Sequence, residues 1–336
     1  MAQVMGKTSA RRGAVSAVAA ALTLTAAACG GNLSGGGAGG EFPSGPVTLA
    51  VGQEPGGSTD LIGRALAESA ADDLGVAMPV VNTPGANGAL AATELARQKP
   101  DGQNLMVINA SLTAITPLAV PADEAVDIAD FEVVTGISQD DYVLVTASSD
   151  LDTLKKLTDT DKELKFGTTG VGTGSQLSQE LLFKEAGIPG TAVPFDGGSP
   201  TLTAVLGSQV DVAAIQLGEA IEQVKAGKLT PLLTFADKRS EFLPDTPTAV
   251  EEGYDVEVSQ YRAIAAPKGT PDSAVKRLRT AFESAFATDA YQKFNKDNLL
   301  KAHEVEGDKV VEEWTASLKD YRATTEKYDI DLGEEK

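Results

Sequence analysis

The feature that most constrains the fold is a glycine-rich junction between a short apolar run and a helical pattern. An apolar run at residues 47–51 leads into Gly-Gly-Ser-Thr-Asp at residues 56–60, which opens an amphipathic stretch. The N–H groups in the first turn of a helix are unpaired and partly positive, and glycines let a ligand approach them closely. Similar junctions recur at residues 84–88, 167–175 and 196–200. Several helix N-termini of this kind predict a cleft that binds carboxylates.

Short apolar runs alternate with helical patterns along the chain, which predicts an α/β fold with a largely parallel sheet. Strands are expected at residues 48–51, 105–108, 142–146, 164–166, 210–214, 229–235 and 263–266. Helices are expected at residues 60–74, 177–187, 199–207, 220–227, from 270 onward and around 310–321. Several of these patterns begin with proline or end at glycine, which is the usual asymmetry of helix ends.

The N-terminus is typical of a secretory signal. Lys7, Arg11 and Arg12 form a basic region, residues 14–28 are apolar and small, and Cys29 follows three alanines. The pattern resembles a bacterial lipoprotein signal, which predicts cleavage at Cys29 and its acylation. The alternative is an ordinary secreted protein that is cut after an Ala-x-Ala site. In both cases we expect the mature protein outside the cytoplasm, and we expect the acylated form to be attached to the cell membrane only through its lipid.

The mature chain must fold without a disulfide, because Cys29 is its only cysteine. We assign residues 1–29 to the signal and the glycine-rich residues 30–45 to a flexible tether. No apolar run in the sequence is long enough to span a bilayer. The remaining chain is long enough for two lobes of ordinary domain size.

The charge of the chain excludes one class of partner. Without the basic residues of the signal, 25 of the 28 lysines and arginines remain against 48 acidic residues, a formal charge of about −23. Phosphate backbones would be repelled, so we expect no nucleic acid partner. The same negative charge would repel a small anion, although salt screens the repulsion beyond about a nanometre. Local N–H groups at the site would have to outweigh what remains of this repulsion. A solubilising surface is the simpler explanation of the acidity.

Several candidate ligand residues have structural alternatives. Asp60 could bind a polar ligand group or provide the acidic charge that favours a helix start. Thr173 and Gln176 have the spacing of a capping box, so they could cap a helix or contact the ligand. Gln216 ends an apolar strand, where strand ends in open α/β sheets meet a cleft, and we predict that it binds ligand. Arg262 could pair with a carboxylate, but a surface ion pair is the favoured prediction.

An enzyme is the main competing class. The single histidine, His303, is far in sequence from the glycine loops, and Cys29 is assigned to the anchor. The sequence has no Gly-x-Ser-x-Gly elbow, no His/Cys metal cluster and no phosphate-binding Walker loop. We therefore expect no catalysis, no cofactor and no metal.

The motifs and their order resemble one known family. The matching motifs are Val-Thr-Leu at residues 47–49, Pro-Gly-Gly-Ser-Thr-Asp at 55–60, Asn-x-Pro-Gly-Ala at 82–86, Pro-Asp-Gly at 100–102, Val-Pro-Phe-x-Gly-Gly at 193–198, Gly-x-Gln-Val-Asp at 207–211 and Pro-x-Gly-Thr-Pro at 267–271. Together they resemble the substrate-binding receptors of tripartite tricarboxylate transporters, the Bug or TctC-type proteins. The resemblance spans nearly all of the mature chain.

The resemblance implies a type II periplasmic-binding-protein fold: two α/β lobes joined by crossing strands, with a ligand cleft between them. Lobe 1 would comprise residues 46–145 plus 264–336, and lobe 2 residues 146–263, in a monomer. The candidate ligand residues are Gln53, Gly56, Gly57, Ser58, Asp60, Asn109, Ser111, Thr168, Thr173, Ser175, Gln176, Gln216 and Tyr261.

The function implied is an extracytoplasmic receptor that delivers a small organic carboxylate to a tripartite tricarboxylate-type membrane permease. A sensor subunit that presents the same ligand to a signalling receptor is the alternative, and a carboxylate-dependent enzyme is a second, less favoured one. The sequence departs from the family at Gln53-Glu54, where Phe-Pro is usual, and at Gln176, where His is common. Asp196 and Ile215 replace a common Lys and a common Asp. The identity of the ligand therefore does not carry over from the family.

Overall fold

A computed structural model describes residues 42–333. The predicted signal with Cys29, and the predicted tether up to residue 41, lie outside the described residues. The end of the predicted tether belongs to the folded part, because Phe42 packs against the core and the Ser44 N–H donates to the Gln103 side chain at 3.2 Å. Across residues 42–333, no helix combines the length and the apolar character that a membrane span requires.

The described residues contain ten strands and ten α-helices that alternate along much of the chain. The strands are β1 (Thr48–Val51), β2 (Val80–Asn82), β3 (Asn104–Asn109), β4 (Phe131–Thr146), β5 (Leu164–Thr168), β6 (Gly190–Pro194), β7 (Val212–Gln216), β8 (Thr230–Thr234), β9 (Ser259–Pro267) and β10 (Lys301–Ala302). The helices are α1 (Ser58–Leu74), α2 (Ala89–Ala96), α3 (Ala110–Ala114), α4 (Leu154–Thr158), α5 (Gly174–Ala186), α6 (Gly198–Leu206), α7 (Leu217–Lys225), α8 (Asp272–Phe286), α9 (Asp289–Asp297) and α10 (Gly307–Tyr328).

The strands form a mixed sheet in the order β2-β1-β3-β9-β4-β7-β5-β6, and β8 and β10 also pair with β4. β1 is parallel to β2 and β3, and β5 is parallel to β6 and β7, as the alternating pattern predicts. The prediction of a largely parallel sheet is wrong for its centre. There β9 runs antiparallel to β3 and β4, and β4 runs antiparallel to β7 and β8, because both long strands cross between two βαβ units.

β4 joins the two lobes of the fold. Its residues 131–141 pair with β9, whereas its residues 142–146 pair with β7 and β8. The first lobe is built on β1, β2 and β3 and the second on β5, β6 and β7. Because β3 ends opposite Arg262 and β7 ends opposite Tyr142, the carboxyl ends of strands from both lobes meet near the middle of β4. The sequence boundaries given above for the lobes stay a prediction.

Helices cover both faces of the sheet and bury four apolar clusters. In the first lobe α1 and α8 pack on one face, and α2, α3 and α10 pack on the other. In the second lobe α5 packs on one face, and α6 and α7 pack on the other. Because α3 and α7 directly follow β3 and β7, whose carboxyl ends meet near the middle of β4, the N-termini of these two helices lie where the lobes meet.

A buried ion pair ties the two crossing strands together. Arg262 on β9 forms this pair with Asp140 on β4, and the two residues are 1% and 3% exposed. The prediction of a surface ion pair for Arg262 is therefore wrong. Side chains alternate between the two faces of β9, and this alternation turns the Arg262 side chain toward α1, into the interior between the lobes. The sequence of β9 alone does not show which other element buries that side chain.

Arg262→Met should lower the free energy of unfolding by about 3–5 kcal/mol, because it leaves the Asp140 carboxylate buried without its partner. Adding Asp140→Asn should recover part of this loss. As a control, Arg239→Met breaks a pair with Glu251 whose side chains are 44% and 46% exposed, and it should cost no more than about 1 kcal/mol. Urea unfolding at pH 7 measures all three variants. Equal small losses for Arg262→Met and Arg239→Met would contradict the central role of the buried pair.

Candidate functional site

The glycine junction before α1 opens on a cavity between the lobes. The N-cap of α1 is Gly57, which has no side chain of its own to cap the helix, and Gly56 has a φ of 85°, which favours glycine. The cavity has a volume of about 200 Å³. Its lining combines Gly56 and Ser58 with Gln216 at the end of β7. The first turns of α6 and α7 also contribute, through Ser199 and through residues 217–219. Three helix N-termini from the two lobes therefore meet at one cavity.

Arg262 connects these walls. Its Nε donates to Thr59 Oγ1 at 3.0 Å, and one terminal nitrogen donates to Ser58 Oγ and to Gln216 Oε1, each at 3.2 Å. The other terminal nitrogen is paired with Asp140. A single guanidinium thus holds the start of α1 in the first lobe and the end of β7 in the second.

The Asp60 side chain holds the glycine junction in place through hydrogen bonds within the first lobe. One carboxylate oxygen accepts from the Gly56 N–H at 2.8 Å and from Arg64 at 3.0 Å, and the other accepts from the Asn82 side chain at 2.9 Å. Burial alone would raise the pKa of Asp60, but the hydrogen bonds from Arg64, Gly56 and Asn82 outweigh it and lower this pKa. Both oxygens are used within the first lobe, which favours the structural alternative for Asp60.

The loop before α5 is also hydrogen-bonded within itself. Thr173 is the N-cap of α5 and accepts from the Gln176 N–H, while Gln176 Oε1 accepts from the Gly172 N–H at 2.8 Å. Ser175 Oγ donates to the Ala214 carbonyl at 2.6 Å. These contacts favour capping over direct ligand contact for Thr173 and Gln176, and they hold the Ser175 hydroxyl against β7. Thr168, at the end of β5, is fully buried and its hydroxyl points toward the Gly170 carbonyl at 3.4 Å.

Two candidates lie at the start of α3. Asn109 is the N-cap of α3, where its side chain accepts from the Leu112 N–H at 2.9 Å. Ser111 Oγ accepts from the Gly174 N–H of α5 at 3.2 Å and donates to Gln260 at 3.1 Å. A second link runs from the Thr116 hydroxyl to the Gly172 carbonyl at 3.0 Å. These hydrogen bonds close one side of the boundary between the lobes.

Gln53 and Tyr261 have different surroundings. Both polar atoms of the Gln53 side chain are buried without a hydrogen-bond partner, and this side chain lies against Gly88. The side chain of Gln53 therefore has unused hydrogen-bonding capacity.

Tyr261 contacts His303 edge to face, with ring centroids 4.9 Å apart, and burial raises the pKa of Tyr261 to about 12. The alternation of β9 turns it away from the side on which Arg262 lies.

Glu219, an acidic residue in the first turn of α7, was not among the residues predicted to line the site. Its carboxylate lies directly over Gly198, where α6 begins, and the Ser58 N–H of α1 donates to it. Burial raises the pKa of Glu219 to about 7, with Arg262 opposing and Asp140 adding to the increase. A glutamate two residues after Leu217 is a common way to start a helix, so the sequence alone contained no signal that it enters a cleft.

The site offers amides, hydroxyls and carboxylates. Within residues 42–333, no group of three or more His, Cys, Asp or Glu side chains could hold a metal ion. The chemistry of this arrangement is recognition of a small polar ligand by helix N-termini and a few side chains.

Comparisons with known proteins agree with this geometry. Residues 62–316 match the family model described as the tripartite tricarboxylate transporter family receptor, TctC. A protein of Agrobacterium vitis, described as a UPF0065 protein in the TAR-I ttuE-ttuC' intergenic region, is 32% identical over 251 residues, which is 73% of this chain and 72% of that protein.

Two solved structures are similar over most of the chain. The periplasmic binding protein BugD is 25% identical, with a TM-score of 0.79 over 87% of this chain and all of that chain. MatC from Rhodopseudomonas palustris with bound malate is 26% identical, with a TM-score of 0.77 over 84% of this chain and 99% of that chain. The predicted type II periplasmic-binding-protein fold is confirmed. The chain belongs to the TctC family of tripartite tricarboxylate transporter receptors.

Proposed function

We propose that this protein is an extracytoplasmic receptor that captures a small organic carboxylate and delivers it to a tripartite tricarboxylate-type membrane permease. The observation that carries the proposal is the N-terminus of α1, which has a glycine as its N-cap and opens on the cavity between the lobes. The similar protein MatC has malate bound, which supports a carboxylate ligand. The family consists of receptors, and the proposal includes no catalytic step.

In this proposal the carboxylate binds to backbone amides at the start of α1. Partial positive charge and unpaired N–H groups at a helix N-terminus favour an anion. Ser58 and Gln216 lie beside this position on opposite lobes, and the free side-chain atoms of Gln53 follow β1 in the same connection to α1. We propose that these three side chains contact the ligand beside the start of α1.

Binding would act by shifting a population between open and closed forms. A ligand that contacts helix N-termini of both lobes makes all of its contacts only when the lobes are closed, so its binding energy favours that form. Ser111 accepts a hydrogen bond from the Gly174 N–H and Thr116 donates one to the Gly172 carbonyl, and these two contacts between the lobes support a closed form whose surface the permease could recognise.

A thermal-shift and calorimetry screen against di-, tri- and aromatic organic acids tests the proposal. An acid at a hundred times its dissociation constant should stabilise the protein by about 2.7 kcal/mol. Gly57→Asp then tests the position of the carboxylate, because aspartate is a favourable N-cap yet places a negative charge in the anion site. Two unit charges about 4 Å apart repel by roughly 4 kcal/mol at an effective dielectric of 20, so affinity should fall on the order of a thousandfold before relaxation.

Gly57→Asn is the matched control, because it provides the same N-cap geometry without the charge. It should fold as well as Gly57→Asp and lose much less affinity for the acid that the screen identifies. Equal affinities of the two variants would remove the start of α1 from the site. A panel in which no carboxylate binds, while an uncharged sugar does, would reject the receptor function as proposed.

We also propose that the protein is anchored to the outer side of the cell membrane through acylated Cys29. The proposal rests on the basic region, the apolar run and the three alanines before this cysteine. Mass spectrometry of the membrane fraction should find a mature chain that begins at acylated Cys29. Cys29→Ala should move the protein out of the membrane fraction. A native chain that begins elsewhere, or that carries no lipid, would contradict the anchor.

A further inference from the structure

The helix α9 ends in a backbone turn that normally contains glycine. The Leu300 N–H donates to the Asn295 carbonyl at 2.9 Å. The Leu299 N–H donates to the Lys296 carbonyl at 3.3 Å, and together these are the two hydrogen bonds of a Schellman motif. One residue of this motif adopts the left-handed conformation, and here it is Leu299, with a φ of 57°. A leucine side chain makes that conformation unfavourable, so the rest of the structure must offset the cost.

The same chain has glycine at the equivalent turn of α5. There the Ile188 N–H donates to the Phe183 carbonyl at 2.9 Å, and Gly187 has a φ of 67°. Both helices end with the same kind of hydrogen bond, but α9 has a large side chain at the left-handed position. The surroundings of that side chain therefore show what offsets the cost.

Leu299 makes its contacts outside its own lobe. α9 belongs to the first lobe, because Tyr291 and Phe294 pack into the apolar cluster of α1 and α8. β10, which follows α9, pairs with the part of β4 that also pairs with β9. Leu300 packs into the same first-lobe cluster, whereas Leu299 packs against the cluster that α6 and α7 bury in the second lobe. Two adjacent leucines thus contact different lobes.

A backbone contact lies beside Leu299. Gly218, in the first turn of α7, faces the Asn298 carbonyl at the end of α9. A Cβ atom on Gly218 would lie 2.4 Å from that carbonyl oxygen, well inside van der Waals contact. Within residues 42–333, no other atom lies within 4 Å of this position beyond the backbone of α7 and the two chain neighbours of Gly218. Glycine is therefore required here by the approach of α9, and the second lobe alone would accept alanine.

Both contacts exist only while the lobes are close together. If the lobes separate, Leu299 loses the apolar surface that it covers in the second lobe, yet its backbone stays left-handed. The cost of that conformation is then no longer offset by burial of the side chain. The end of α9 is thus matched to the closed arrangement of the lobes.

We propose that Asn298 and Leu299 form a latch, which holds the end of α9 against Gly218 and the apolar cluster of α6 and α7 and thereby favours the closed form. The inference rests on the proposed receptor function, because it names what regulates closure, and it does not depend on which acid binds. Since the latch consists of protein groups alone, it favours closure of the ligand-free protein as well. It also slows the release of a bound ligand, because the lobes must separate first.

Leu299→Gly removes the latch and keeps the end of α9, because glycine readily adopts the left-handed conformation. The lobes should open more often, so the ligand-free protein should have a larger radius of gyration in small-angle X-ray scattering. Affinity for the acid that binds most tightly in the screen should fall at least fivefold, mainly through faster dissociation. Leu299→Met is the matched control: it keeps an apolar side chain of similar length and should preserve both properties.

Gly218→Ala tests the latch from the second lobe. Alanine is the better helix former, so the variant should fold as well as the unmodified protein. Its methyl group would collide with the Asn298 carbonyl in the closed form, so the same increase in radius and the same loss of affinity are expected. Glu222→Ala is the matched control, because Glu222 lies on the same helix with its side chain 77% exposed. It should change neither property.

The scattering of the ligand-free protein separates the latch from the receptor function. Opening of at least one folded variant, with its control unchanged, supports the latch. Unchanged dimensions of both Leu299→Gly and Gly218→Ala overturn it, and so does a loss of affinity without opening, which would mean direct contact with the ligand. If the variants open but no acid binds to the unmodified protein, the latch stands and the carboxylate receptor fails. If one variant does not fold, the other decides.

Discussion

The arrangement of the two lobes depends on one guanidinium. Arg262 pairs with Asp140 where the long strands cross, and the same side chain reaches Ser58 in the first lobe and Gln216 in the second. A buried ion pair adds little net stability compared with apolar packing, because removing two charges from water is costly. Its effect here is on geometry: the hydrogen bonds of a planar guanidinium fix the distance and orientation of the two walls of the cavity.

The local features of the fold could be predicted from the sequence. The junction at residues 56–60 was expected to start a helix, and α1 begins at Ser58. The helix that was expected to end at Gly187 is α5, whose C-cap adopts the left-handed conformation there. Gln216 was expected at the end of an apolar strand and ends β7. These predictions succeed because glycine conformation, capping and apolar alternation act over a few residues.

The features that could not be predicted from the sequence depend on contacts between residues far apart in the chain. The strand expected at residues 142–146 is the end of β4, which begins at Phe131, because Ser138 and Asp140 become interior positions only once β9 lies beside them. Arg262 was assigned to the surface for the same reason. Glu219 was overlooked because the start of a helix is an ordinary place for a glutamate, and its role at the cavity follows from α1 and α6 being packed around it.

The position of β9 in the chain determines when the sheet of the first lobe can be completed during synthesis. β9 separates β3 from β4 in the sheet, yet it is synthesised after the whole second lobe; Ser111 and Gln260, which are hydrogen-bonded, are 149 residues apart. Domains generally fold from the N-terminus as the chain is made. Here the edge of β3 in the first βαβ unit stays unpaired until β9 has been synthesised and can pair with it. A chain that is exported before folding, as the N-terminal signal predicts, would avoid exposing that edge in the crowded cytoplasm.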